Sequence, residues 1–310
     1  MNPSPTVSIC VPAFNAERTI DASIASALEQ SFGDFECLIV DNASTDKTVD
    51  RVLAIEDPRV RLLRNPSNCG PIANHNRCIA HARGTLIQFL HSDDRLLPDC
   101  LERLVPAFSD HRVGLAFARR RLESSDPTLK EAIGTLHTPL EPLDHVNDGK
   151  AIVRRYVERG SRGNWIGEPT SVMIRRSALQ LVGGFDARQK SYSDMELWLR
   201  ILSRFDAAWV DAELSVRVQH EDTLTAHYED TDEAWLDRLW ILTGLAHDRN
   251  LDRRTRFKAW QQWTVAVLKK IVRSQQAARG MRRPRIEQLI QHVRQSLIWD
   301  ATRPTAQLSS

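Results

Sequence analysis

The sequence predicts an α/β protein with a mostly parallel central sheet flanked by helices, followed by a helical C-terminal extension. Three observations predict it. Short apolar runs of strand type alternate with helix-period segments through the first third of the 310 residues. Each of the best-defined runs ends in polar residues, as strands do where an open sheet binds ligands. Beyond about Asp232, apolar residues recur at three- and four-residue intervals.

Val7-Ser8-Ile9-Cys10-Val11 reads as the first strand, stopped by Pro12. Ile20, Ile24, Ala27 and Leu28 then give one apolar helical face. Cys37-Leu38-Ile39-Val40 is a continuous apolar run of buried-strand type ending at Asp41, and a second helix follows Asp46, whose carboxylate can cap it. Val60-Arg61-Leu62-Leu63 is the third strand. After the turn Asn68-Cys69-Gly70-Pro71, a helix over about Ile72 to Ala82 ends at Gly84, before the strand Thr85 to Leu90. From Pro98 the pattern loosens: a helix near Asp99 to Phe108, a strand at Val113 to Phe117, and long polar loops from Ser124 to Asp148. Regularity returns with a strand at Ser171 to Ile174, helices near Ser177 to Leu181 and Asp194 to Leu202, and a strand at Ala207 to Val210. In the last segment Trp235, Leu239, Leu242, Trp260, Trp263, Val267, Leu268, Ile271 and Val272 mark helices, Pro284 a break, and the final residues a frayed tail.

The composition, 42% hydrophobic and 26% charged, is that of a globular protein and excludes fibrous or disordered classes. Five cysteines, Cys10, Cys37, Cys69, Cys78 and Cys100, form no zinc-type spacing and fit a reducing cytoplasm. Neither a signal peptide nor a spanning apolar stretch is legible, so the expected place is cytoplasmic. The formal charge of +2 hides an asymmetry. Between Arg249 and Arg303 stand 14 Lys or Arg against three acids, so the rest of the chain is acidic. This basic, Trp-containing end is either a helical core with a solvated basic face or a surface for an anionic membrane, which would make the protein peripheral at its inner face. No reading motif for specific nucleic acid accompanies it.

Neither the dinucleotide fingerprint nor a Walker loop follows the first strand. A bound diphosphate would therefore be neutralised by a hard cation, Mg²⁺ or Mn²⁺, held by one or two carboxylates. Asp93 and Asp94, in His91-Ser92-Asp93-Asp94 after the fourth strand, offer that chemistry. Read blandly, the pair is a strand-ending turn, Asp41 and Asp46 are cap residues, and Ser193 with Glu196 forms a capping box around Asp194.

The segments Val7 to Asn15, Leu38 to Thr48, Asn68 to Leu90, His91 to Pro98 and Gly183 to Arg200 together resemble glycosyltransferase family 2, whose fold is of the GT-A type. The resemblance implies that Pro12, Ala13, Asn15 and Asp41 line the pocket for base and ribose, and that the Asp-x-Asp region holds metal and diphosphate. It implies that Asp194, in Ser193-Asp194-Met195-Glu196-Leu197-Trp198, is the general base of an inverting single displacement. Asn42, Gly70, Asn76 and Asp94 complete the expected donor side, and Trp165, Glu168 and Glu196 are candidates for the acceptor side. The chain departs from the family pattern at His91, which stands where an acid is common. That leaves Asp93 as the preferred ligand and Asp94 as a supporting acid, with His91 on ribose, on metal or on neither. Ser193 replaces a usual Glu, removing a charge that could raise the pKa of Asp194. His220, in Gln219-His220-Glu221-Asp222, resembles a late His motif near metal or diphosphate.

The expected organisation is a donor half over 1–105, an acceptor and catalytic half over 106–230, and the extension over 231–310. The implied reaction moves a sugar from a nucleoside diphosphate sugar, a UDP-sugar favoured, to a saccharide or lipid-linked saccharide in cell-surface polysaccharide synthesis. Two rivals remain. A sugar nucleotidyltransferase would want a Gly-rich, basic first loop that Pro12-Ala13-Phe14-Asn15 lacks, and a non-catalytic scaffold would bind a partner through its basic helices.

Overall fold

The computed structural model describes residues 4–124, 136–219 and 232–278. Strands β1 (Val7–Ala13), β2 (Phe35–Asp41), β3 (Val60–Arg64) and β4 (Leu86–Phe89) alternate with helices α1 (Ile20–Leu28), α2 (Thr48–Leu53) and α3 (Pro71–His81). The four strands are parallel, in the order β3-β2-β1-β4. Their alternation sends Cys10, Leu38, Val40, Ile87 and Phe89 into one core and Val7, Ile9, Val11, Cys37 and Ile39 into another. Helix α3 covers the first face and α1 the second, so the apolar runs are buried on both sides.

Pro12 does not stop β1, contrary to expectation: it pairs with Val40, and the strand runs on to Ala13. The alternation of a parallel strand explains this. Cys10 and Pro12 point their main-chain groups toward β4, and that ladder ends at Cys10 with Phe89, so no acceptor awaits the N–H that Pro12 lacks.

The second half is mixed rather than parallel. It comprises β5 (Arg95–Leu96), α4 (Cys100–Leu104) leading into a 3₁₀ turn, β6 (Val113–Ser124), β7 (Val146–Asn147), α5 (Gly149–Glu158), β8 (Val172–Arg175), α6 (Arg176–Val182), α7 (Ser193–Leu202) and β9 (Asp206–Gln219). Among the described residues one sheet runs β3-β2-β1-β4-β8-β6-β9-β5, with β7 on β9. Strand β8 lies antiparallel to both β4 and β6, which joins the two halves.

Helix α5 has no counterpart in the sequence reading, although its signals are present. Asp148 accepts from the N–H groups of Lys150 at 2.8 Å and Ala151 at 3.2 Å, and Ile152, Val153, Tyr156 and Val157 bury one face. The C-terminal helices, α8 (Asp232–His247) and α9 (Arg253–Ala278), are not an appendage. Leu239, Leu242, Leu245, Ala259 and Trp263 join the core that holds α5 and α7. Buried Asp237 of α8 collects the N–H groups of Lys190, Ser191 and Tyr192 at 2.5–3.1 Å, tying down the turn that enters α7. Pro284 and the tail lie outside the described residues.

Candidate functional site

The carboxyl ends of β1, β2 and β4 open on one edge of the sheet. Past β1 the chain bends at Asn15, whose φ of 49° is left-handed, a conformation Asn tolerates. Its side chain accepts from the Thr45 N–H at 2.9 Å, while its own N–H donates to Ser44 Oγ at 2.9 Å. Asp46 accepts from the N–H groups of Glu17 and Thr48 at 3.0 Å each, tying the start of α2 to the first loop, although the N-cap position itself is Lys47. Two loops thus form one floor. Asp41, fully buried, ends β2 and accepts from the Ser44 N–H at 3.2 Å, with Arg64 Nε at 3.9 Å.

Beside it, Asn42 Oδ1 accepts from Asn65 Nδ2 and the Cys69 N–H, both at 3.0 Å, and its Nδ2 donates to Asn68 at 2.9 Å. Asn74 Nδ2 reaches back to the Val40 carbonyl at 3.0 Å. The turn between β3 and α3 is therefore built on Asn42, and Gly70 supplies the positive φ of 84° that it requires. Asn76, expected on the donor side, has another task. Its amide exchanges two hydrogen bonds of 2.8 Å with the main chain of Phe185, and a Cβ on Gly184 would stand 2.2 Å from its oxygen.

The adjacent acids after β4 differ in burial. Asp94 is buried: it accepts from Thr170 Oγ1 at 2.7 Å and from the Val218 N–H at 3.1 Å, and lies 3.6 Å from His91 Nδ1. It thereby joins β4, the turn before β8, and β9. Asp93 is half-buried. His91 Nε2 stands 3.2 Å from Nε2 of His75, so both its ring nitrogens face protein groups. Burial works against charge on His91, but the hydrogen bond and charge of Asp94, with the charge of Asp93, carry its pKa above the ordinary value. Burial and the neighbouring His91 push His75 down to about 3, so the pair carries at most one charge at neutrality.

No group of three or more metal-type side chains is gathered among the described residues. Asp93, the less buried acid of the pair, is of the chemistry that a hard cation such as Mg²⁺ takes alongside diphosphate oxygens and water. His220 lies outside the described residues.

Asp194 begins α7. Burial above all, with the charge of Glu168, raises its pKa to about 6 against the hydrogen bonds from the Met195 N–H and Asn164. Asn164 Nδ2 donates to it at 2.8 Å and also to the Gly167 carbonyl. Asn164 Oδ1 accepts from the N–H groups of Ile166 and Gly167, so this one amide both winds the loop and orients the acid. Gly167, at φ 130°, has no room for a Cβ against Ser171. The charge that Ser193 removes is thus supplied from another element.

Glu168 pairs with Arg120 of β6 and Arg217 of β9. Burial opposes its charge, but the two guanidinium groups hold its pKa down to about 2. Trp165 is buried, packs edge-on to Tyr156 at 5.0 Å, and gives its carbonyl to His137. Glu196 forms no capping box with Ser193, a correction to the sequence reading. Its carboxylate is taken by Arg200 at 2.7 Å, and Arg200 in turn holds the carbonyls of Val182 and Gly184. Asn164, Thr170, Arg120, Arg217 and Asp237 were not singled out from sequence. Each reaches its partner across at least 30 residues of chain, beyond the range of any local pattern.

Comparison with known proteins bears on this arrangement. The model of Glycosyl transferase family 2 matches residues 8–181. An uncharacterised protein of Mycobacterium tuberculosis, MT1568, is 40% identical over 88% of this chain and 86% of its own length. The UDP-Glc:alpha-D-GlcNAc-diphosphoundecaprenol beta-1,3-glucosyltransferase WfgD of Escherichia coli is 36% identical over 36% of this chain, a match that spans 44% of that enzyme. Among solved structures, S. aureus TarS 1–349 in complex with UDP-GlcNAc has a TM-score of 0.65 at 16% identity, over 85% of this chain and 73% of that one. The mannosyltransferase PcManGT from Pyrobaculum calidifontis, in complex with GDP-Man and Mn²⁺, has a TM-score of 0.58 at 17% identity, over 98% and 83%.

Proposed function

The chain belongs to glycosyltransferase family 2, and from that premise we infer that it moves one sugar from a nucleoside diphosphate sugar to a hydroxyl of a saccharide or lipid-linked saccharide, in cell-surface polysaccharide synthesis. The observation that carries this reading is Asp194. A carboxyl group with a pKa of about 6 is mostly ionised at neutrality and still basic enough to take a proton from an attacking hydroxyl. It lies at the start of a helix in the half of the fold expected to receive the acceptor.

Asn164 orients that carboxylate, and Glu168 keeps its proton affinity high. The hydroxyl attacks the anomeric carbon as the bond to the diphosphate breaks, so configuration inverts and the proton passes to Asp194. On the donor side, Asp41 and the floor made by Asn15 and Asp46 receive base and ribose, and the Asn42 network holds the flanking turn in place. A bound Mg²⁺ or Mn²⁺, held by Asp93, would stabilise the charge developing on the departing nucleoside diphosphate, an effect of several kcal/mol. Asp94 keeps its place as the buried brace between β4, β8 and β9. A UDP-sugar is favoured because the glucosyltransferase and TarS similarities both involve UDP-linked sugars, and the Mn²⁺ complex of the mannosyltransferase supports a divalent metal.

Thermal shift of the full chain against a panel of UDP- and GDP-sugars, with and without Mn²⁺, tests the reading. One donor is expected to stabilise the protein only with the metal, and Asp93→Ala is expected to abolish that metal-dependent shift. Tight, metal-independent donor binding by Asp93→Ala would remove Asp93 from the site.

A further inference from the structure

Helix α9 has two unlike faces. Ala259, Trp263, Ala266 and Val267 are buried in the core. On the other side Phe257, Val265, Leu268 and Val272 are 62%, 47%, 55% and 52% exposed. At about 100° per residue these four fall within an arc of roughly 80°. A single exposed apolar residue is ordinary, but a stripe of four along one helix marks a surface that meets something apolar.

Cations edge the stripe. Helix α9 contains seven Lys or Arg and no acid, and Arg254, Lys258 and Lys269 flank the apolar side chains. Two hollows open beside it, one of about 400 Å³ and one of about 530 Å³. Arg154, Arg254 and Lys258 line the first, with Glu158 as its one acid. Arg162, Lys258 and Lys269 line the second, which has no acid.

We propose that this face docks on an anionic lipid surface. Helix α9 lies in the plane of the headgroups, its apolar stripe turned toward the acyl chains and lipid phosphates received by the two basic hollows. Charge complementarity selects this occupant. A second copy meeting the same face about a twofold axis would bring like charges together. No described helix is long and apolar enough to cross a membrane, so the contact is one of lying on the surface.

The placement also ties the surface to the acceptor side. Gly160 and Arg162 line the second hollow, and two residues further on Asn164 holds Asp194. Arg238 of α8 clamps the carbonyls of Gly160 and Ser161 at 2.8 and 3.1 Å, making this stretch a firm link between lipid face and loop.

Flotation of the full chain with phosphatidylglycerol-containing or pure phosphatidylcholine vesicles tests the proposal. Binding is expected with the anionic vesicles only, and to weaken as salt is raised. Lys258→Ala and Lys269→Ala are each expected to weaken it about fivefold. Leu268→Glu combined with Val272→Glu is expected to weaken it about tenfold or more, with thermal unfolding unchanged. Equal binding to neutral vesicles, or none to anionic ones, overturns the proposal. So does a Leu268→Glu variant that turns a dimer into a monomer and floats as before, because the face then joins two copies. Flotation is read without donor or acceptor, so its failure is separate from failure of the catalytic reading.

Discussion

Around the ends of β1 and β2 many of the ties are between neutral groups: Asn15 to Thr45, Asn42 to Asn65 and Cys69, Asn74 to Val40. Around Asp194 the ties are charged, with Glu168 between Arg120 and Arg217 and Asp237 beneath the turn into α7. The amide network centred on Asn42 holds loop shape at small electrostatic cost, beside the carboxylates of Asp41 and Asp46. The charged framework lets one carboxylate, Glu168, be held fully ionised while it raises the pKa of another.

The contrast can be broken first at Asp194. Asp194→Asn is expected to lower transfer about 10²- to 10⁴-fold while donor affinity stays near that of the wild type. Single-turnover rates and calorimetry separate the two, and near-normal turnover would remove Asp194 as the base. Next in size is the charged framework itself. Arg120→Ala takes one of the two guanidinium partners from Glu168, whose side chain is 16% exposed, at an expected loss of about 3 kcal/mol of stability in urea unfolding, toward the lower end for a broken buried pair because Arg217 remains.

The amide network should yield less. Asn42→Ala takes one of the two amide acceptors from Asn65 Nδ2 and the acceptor from the exposed Cys69 N–H, costing about 1 kcal/mol in the same assay and weakening donor binding. The smallest effect sharpens the comparison instead. The base works deprotonated, so kcat/KM should climb with pH to about 6 and level off above it. Asn164→Ala removes a hydrogen bond to the charged form, which raises the pKa and moves the acid limb to higher pH by under about one unit. A limb that stays put would show that Asn164 does not act on the ionised acid.

Legibility in the sequence follows the same division. The parallel strands and the residues just beyond them could be read because a buried strand and its polar terminus are neighbours in the chain. Pro12 misled because a stop signal depends on which neighbouring ladder the residue faces, and β4 ends too soon to need its N–H. Helix α5 was passed over although Asp148 caps it and its apolar spacing is regular, since the polar stretch before it dominated the pattern. Asn76 and, through Arg200, Glu196 hold the Gly183 to Phe185 turn, a partnership that only the folded arrangement of α3, α6 and α7 creates.

Asp237 has a consequence for what a shorter chain could hold. The match to the family model ends at residue 181, ahead of Asp194 and of the α8 carboxylate that steadies its turn. The part of the chain beyond it is fastened through the three N–H groups of Lys190, Ser191 and Tyr192, all of which donate to Asp237. A chain trimmed to the matched stretch would lose both the proposed base and the anchor for the turn that carries it, whatever became of its sheet.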